Sequence, residues 1–292
     1  TLAGAALLLM LARARAWHGP IAMAVVAAVA AAEANLLMRV LSGGPVAMTM
    51  GNWLPPFGIT FAADVMGAAF ALTASLVTFV VLLYAEAEPP EHESGASGFH
   101  ALVLLLLAGV SGAFLTGDLF NLYVWFEVML IATFGLLVYS GRVVELDATV
   151  KYGFLNFLAT TLFLIALGLL YGLLGTLNMA DIFLHAPDVD PVAMTPVAGL
   201  LLLAFGMKAA AFPVNAWLPA AYHAPPPAVS ALLAGLPTKV GVYALLRTLG
   251  ALLPLSRDAL HPALAAVALA TLLIAPLGAI AETNLRRALG FM

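Results

Sequence analysis

The 292-residue sequence contains no cysteine. That excludes a disulfide framework, a thiolate metal site and a cysteine nucleophile, and it leaves the redox compartment unread. Charge is almost as scarce. Only 9% of residues are charged, where a soluble domain carries about 25%. The net charge of -4 is small for this length and argues against a nucleic-acid partner. Signatures of chemistry are missing as well. No G-x-G-x-x-G follows a strand pattern and no Walker A motif is present. No G-x-S-x-G elbow appears. His18, His92, His100, His185 and His261 are scattered over span ends and loops, without metal-ligand spacing. The sequence calls for no metal and no cofactor. It gives no support to ATP hydrolysis, hydride transfer or haem chemistry.

What is present is apolar length. Of all residues, 64% are hydrophobic, and runs of about 20 such residues cross a hydrocarbon core of about 30 Å. The runs predict a partial helix at 1–12, then full spans near 19–40, 60–84, 99–117, 119–140, 150–175, 195–219, 226–250 and 262–282. A further helix starts near Arg286. The expected fold class is an all-α polytopic membrane protein. Residues 43–58, with Gly, Pro and Trp53 but no charge, read as an interfacial turn or hairpin. Residues 85–98 read as an acidic loop, 185–191 as a Pro/Asp loop and 219–227 as a Pro-rich loop. The chain starts at Thr1 and stops as a new apolar run begins, so it reads as a piece of a longer protein. Alternating spans put Arg13, Arg15, Arg142, Lys151, Arg286 and Arg287 on one side, the cytoplasmic one by the positive-inside rule. Arg39, Arg247 and Arg257 fall at or near the other.

Three ionisable residues sit near the middle of three different apolar stretches: Glu127, Lys208 and Lys239. At ~1.5 Å per helical residue each lies roughly 13–20 Å deep. A charge at that depth costs at least about 2.5–3.5 kcal/mol on the insertion scale. Lys208 precedes Pro213 by five residues, and that proline would free the carbonyl of Ala209. Lys239 follows Pro237, which would free the carbonyl of Leu233, with Ser230 and Thr238 adding hydroxyls. Such breaks are tolerated where backbone lines a hydrated, enclosed cavity. Glu127 beside a lysine would hold that lysine charged, and separating the two would release its proton. His223, in the loop between the two lysine spans, is placed to pass protons near neutral pH. Glu33, Asp64, Asp118 and Glu282 lie nearer span ends; Glu33 is the deepest and has no role in this scheme.

The stretches GDLFNLYVWFEVMLIATFGLL, GMKAAAFPVNAWLPAAYHAPPPAVSALLAGLPTKVGVYALLR and ETNLRRALGFM resemble the antiporter-like family. That family comprises proton-pumping membrane-arm subunits of respiratory complex I and subunits of Mrp-type sodium/proton antiporters. The first two stretches are most similar to its Mrp branch. The resemblance implies a bundle with inverted five-helix repeats and broken helices. Residues 1–98 would be N-terminal helices, 99–250 the first repeat and 251–292 the start of a second. It implies Glu127 and Lys208 as a modulating pair, Lys239 as the lateral proton carrier and His223 as the loop histidine. It also implies a multi-pass subunit of a hetero-oligomeric complex in the bacterial plasma membrane. That complex would exchange protons with sodium and would not be an enzyme. A redox-driven complex I-like or hydrogenase subunit and a transport-silent scaffold remain the alternatives.

Overall fold

A computed structural model describes all residues except 12, 88–97, 216 and 292. Most of the expected acidic loop, with His92, therefore lies outside the described residues. The chain is a bundle of helices. Among the described residues, seven are long and apolar enough to cross a membrane by length and composition. Helix α1 (Leu2–Met10) is followed by α2 (His18–Gly43), α3 (Val65–Ala87), α4 (Phe99–Phe114), α5 (Leu119–Leu137) and α6 (Val143–Leu174). Helix α7 (Met179–His185) is short, α8 spans Pro191–Lys208, and α9 is Trp217–His223. The next span is assembled from α10 (Pro227–Gly235), α11 (Pro237–Leu245) and a π-helical turn, Leu246–Leu252. Helices α12 (Pro254–Ala281) and α13 (Leu285–Gly290) follow. With 16 residues, α4 is shorter than the helices counted as spans.

The expected loop at 43–58 is a real hairpin. Strands β1 (Val46–Thr49) and β2 (Thr60–Ala63) pair antiparallel, Val46 opposite Ala63. Trp53 at its tip is exposed, as an interfacial aromatic should be. Helix α7 falls between predicted spans, where hydropathy gives no helix. Its start is fixed by Asn178, whose side-chain oxygen accepts from the backbone N–H groups of Ala180 and Asp181.

Several helix starts are set by short polar residues at the ends of apolar runs. Asp118 caps α5 by accepting from Asn121 N at 2.8 Å, and Asp190 caps α8 at Val192 N. Burial pushes the Asp118 carboxyl up from its ordinary range. At α6 the Glu145 carboxylate accepts from the backbone N–H of Arg142 at 3.3 Å and from its guanidinium at 2.9 and 2.8 Å, and the Glu145 side chain is fully buried beneath the guanidinium. Gly175, at φ +70°, ends α6 in the left-handed conformation that a side chain disfavours.

Helices α2 and α3, α4 and α5, and α6 and α8 pack as neighbours. Where α5, α6 and α8 meet, the core is aromatic: Phe163 stacks edge-on to Phe205 at 4.7 Å between centroids, and Phe126 lies 6.0 Å from Phe205. By contrast α12 buries almost nothing apart from Ser256, and leaves Leu269, Leu272, Leu277 and Ile280 exposed. Arg142 Nη2 donates to the carbonyl of Ala224 at 2.6 Å. The loops near 142 and 224 thus share one end of the bundle, as alternating spans require.

At the opposite end Arg247, on the π-helical turn, grips Asp64 at the foot of α3. Its Nη1 donates to Oδ2 at 2.5 Å and its Nη2 to Oδ1 at 2.8 Å. Arg247 Nη2 also reaches the Tyr243 hydroxyl at 2.7 Å, and that hydroxyl donates to Phe114 O at 2.8 Å. Three segments are tied by this one cluster. The hydrogen bonds from Arg247 hold the Asp64 carboxyl below the ordinary carboxylate range. A lowered folded pKa contributes stability that is present at neutral pH and lost only as pH falls through it. Arg247→Met should lower stability by about 1–3 kcal/mol, between an exposed and a buried pair. Thermal unfolding of the detergent-purified protein at neutral pH measures this. Arg247→Lys should recover little, because a point charge cannot replace the two-pronged contact.

Candidate functional site: a broken helix and its lysine

Helix α8 does not run through the predicted span of 195–219. It stops on Lys208, five residues ahead of Pro213. The cause is backbone geometry before the proline. Ala209 N donates to Phe205 O at 2.8 Å, but Ala210 N turns to Met207 O at 3.2 Å and Ala211 N to Gly206 O at 2.8 Å. Ala210 itself sits at φ +57°, the left-handed region that alanine rarely adopts. The chain leaves the helix there and resumes helical structure at Trp217. The indole Nε1 of Trp217 donates back to Met207 O at 3.1 Å and so closes the break.

Lys208 is therefore the last residue of its helix segment, not the middle of a continuous one. It is 8% exposed. Its Nζ lies 5.2 Å from the centroid of the Phe126 ring, within the range of cation–π attraction. No hydrogen bond or ion pair joins that ammonium to another described residue. Its position at a helix C-terminus supplies the negative end of the helix dipole instead. The wall opposite is bare backbone. A Cβ on Gly241 of α11 would stand 2.6 Å from Ala209 N and 2.8 Å from the Lys208 carbonyl carbon. Only glycine lets α11 approach the break this closely.

Glu127, half-buried on α5, is the acid whose field reaches Lys208. It acts also on Tyr123, one turn earlier. Glu127 and Lys208 are near enough to interact but do not form a contact ion pair. Phe126, the residue before Glu127, is the one that meets the ammonium. Also on α5, Trp125 Nε1 is buried with no hydrogen-bond partner among the described residues.

Lys239 departs from expectation in two respects. It is exposed, at the wall of a cavity of about 260 Å³ lined by Phe70, Thr73, Val77 and Phe114. Its Nζ donates to Ala234 O at 2.6 Å and Thr238 Oγ1 at 3.3 Å. The Leu233 carbonyl expected to be free is taken by the Tyr222 hydroxyl at 2.9 Å. Ser230 donates to Tyr222 O at 2.7 Å, and so is not a partner of Lys239. The break between α10 and α11 thus presents Lys239 with the carbonyl one residue further on. Positions 239 and 241 are about 200° apart around a helix. Gly241 faces Lys208, so Lys239 projects from the other side of α11, toward α3. A helix break lies beside each lysine, after Lys208 on α8 and before Lys239 on α11. His223 ends α9, half-buried, with Nδ1 3.3 Å from Ala220 O, at the same end of the bundle as Arg142.

Two features are not legible in the sequence. Asp64 and Arg247 are 183 positions apart, and nothing local pairs them. Glu33 is 5% exposed and accepts from Ser75 and Ser111, the latter at 2.8 Å. The deep carboxyl is evident from hydropathy, but its two hydroxyl partners are not.

Comparison with known proteins gives one consistent picture. Residues 116–291 match the family described as "NADH:quinone oxidoreductase/Mrp antiporter, TM". The chain is 39% identical over 253 residues to a Na(+)/H(+) antiporter subunit, of the D type, from Bacillus subtilis (strain 168), covering 86% of this chain and 51% of that one. The chain spans about half the length of the curated relatives it matches. Among solved structures, a chain of the Mrp complex from Dietzia sp. DQ12-45-1b superposes with a TM-score of 0.90 at 36% identity, over 99% of this chain and 54% of that one. A chain of the membrane-bound sulfane sulfur reductase, an archaeal respiratory membrane complex, gives 0.87 at 29% identity, over 100% and 62%.

Proposed function

Because the chain belongs to the NADH:quinone oxidoreductase/Mrp antiporter transmembrane family, we propose that it is the proton-handling part of a subunit of a multisubunit sodium/proton antiporter. The similarity to antiporter subunits of the D type, 39% and 37% identical, favours this over a redox-driven subunit. The observation that carries the reading is Lys208. A buried ammonium with no hydrogen-bonding partner among the described residues is costly. Placed at a helix break, within the field of an acid, it is suited to giving up a proton.

In this reading Lys208 takes a proton from the His223 end of the bundle, through water along the opened α8–α9 segment. The Glu127 carboxylate holds the loaded, charged state. When the distance between them grows, the proton leaves for Lys239 on the far side of α11, with Thr238 beside the acceptor. Sodium is the coupled ion by similarity to the relatives. Other membrane subunits and the bilayer are the partners, in a bacterial plasma membrane. Work comes from ion gradients, so the subunit is a transporter component and not an enzyme.

Vesicles carrying the whole complex test this. Glu127→Gln removes the charge and keeps the side-chain size. Sodium-driven proton flux should fall about tenfold, the effect of ~1.4 kcal/mol on one step. Flux equal to that of the unmodified complex would remove Glu127 from the pathway.

A further inference from the structure

Glu33 lies outside the Lys208 region and has no part in the scheme above. It sits ten residues from Gly43, the end of α2. Ser75 sits ten residues from Val65, the start of α3, at the same end of the bundle. Both are thus about 15 Å inside the bundle at ~1.5 Å per residue. Ser111 reaches them from the last turn of α4. The Ser75 hydroxyl donates to Glu33 Oε2, and the Ser111 hydroxyl to Oε1 at 2.8 Å. Three helices converge on one carboxyl, and each of its oxygens has a hydroxyl partner.

A staple of three helices does not need a titratable group. Gln could bond to both serines, accepting from one and donating to the other, without the cost of a charge at this depth. A carboxyl held between two hydroxyls differs in one way. Each hydroxyl can donate to the charged form or accept from the neutral one. The cluster therefore stays fully hydrogen-bonded in both protonation states.

We propose that Glu33, with Ser75 and Ser111, forms a second proton-exchange site, in the N-terminal helices and separate from the Glu127–Lys208 pair. The step is a simple transfer: a hydronium ion of the surrounding water gives its proton to Glu33 Oε and leaves as water, one serine hydroxyl turns its lone pair toward the new O–H, and return of the proton to water restores the carboxylate. Arg39, also on α2, donates to Asn35 Oδ1 at 3.0 Å. On α3 the titratable groups are Glu86 and Tyr84 in its last turn, with Asp64 just before its start. On α4 it is His100, in the first turn, bonded to Glu86 at 2.7 Å. His18 starts α2 and bonds to Leu11 O. Asp64 is held by Arg247. Glu86, His100, His18 and Asp64 thus have their partners away from Glu33.

The test is pH-difference infrared spectroscopy of the purified, assembled complex, reading the carbonyl band of a protonated carboxylic acid. That readout does not depend on transport. It can therefore fail while the antiport reading stands, and the reverse. The unmodified complex should show a band that appears and disappears with pH. In Glu33→Gln, whose amide can accept from one serine and donate to the other, that band should be lost. Identical pH-difference spectra for the two would overturn the proposal. If Glu33→Gln does not assemble, Ser75→Ala serves instead. It keeps the carboxyl but removes one partner, so the band should move to a different pH. An unmoved band would overturn the proposal equally.

Discussion

Replacing Lys208 with alanine is expected to cut sodium-driven proton flux through the assembled complex by about 10²-fold, the usual contribution of a positioned proton-transfer group. Stability should be unchanged or higher. The reason is the same for both effects. The Lys208 ammonium is 8% exposed and is held by a ring face and a helix end, without a hydrogen bond to any described residue. Deleting a buried charge of that kind removes a desolvation cost and strands no hydrogen-bond partner, while Glu127, half-buried and out of contact, loses only a more distant attraction. The alanine variant also keeps Ala209, Ala210 and the Trp217–Met207 hydrogen bond that define the break. Flux in vesicles and thermal unfolding of the same preparation check the pair of results. A variant that loses flux only because it fails to assemble would show lowered stability, which this account does not expect.

Gly241→Ala should be nearly as damaging, although it touches no ionisable group. The added methyl would meet backbone of Ala209 and Lys208 at 2.6 and 2.8 Å. Backbone cannot rotate aside as a flexible side chain can, so α11 and the end of α8 must separate. Overpacking of this kind costs about 1–3 kcal/mol. Misplacing a reacting group by about 1 Å costs about 10²-fold. A lowered melting temperature together with lost flux, with Lys208, Glu127 and Lys239 all intact, is the expected outcome. Gly241→Ala with full flux would mean that the spacing of α11 from the break is irrelevant to proton movement.

These two residues also mark how far the sequence could be read. The long spans were legible because about 20 apolar residues have few other uses; α2, α3 and α5 fall where hydropathy placed them, while α6 and α12 begin earlier, at Val143 and Pro254, through charged residues that hydropathy left outside the spans. The break in α8 was legible as a region from Pro213 but not as a position. Its true start depends on the backbone turning at Ala210, and an alanine gives no warning of a left-handed φ. The hairpin around Trp53 was legible as a turn or hairpin from its Gly, Pro and Trp, but its two four-residue strands were too short for a period-two pattern to place them. Gly241 looked like any glycine in a membrane helix, since its meaning lies in the helix packed against it. The same limit hid the partners of Glu33 and Arg247. Their ionisable groups were evident, but hydrogen bonds spanning 42, 78 and 183 positions are made by packing alone. For Lys239 the neighbouring helix break was readable from Pro237 but the facing was not. The helical wheel fixes that only once Gly241 is known to face Lys208.

The most direct measurement is sodium-driven proton flux in vesicles containing the whole complex with Lys208→Arg. Arginine keeps the positive charge and the contact with the Phe126 ring, but it does not release its proton in proteins. If Lys208 carries the proton, flux in this variant falls to the level of Lys208→Ala. If Lys208 serves only as a fixed charge beside Glu127, Lys208→Arg transports as the unmodified complex does, and the account is wrong.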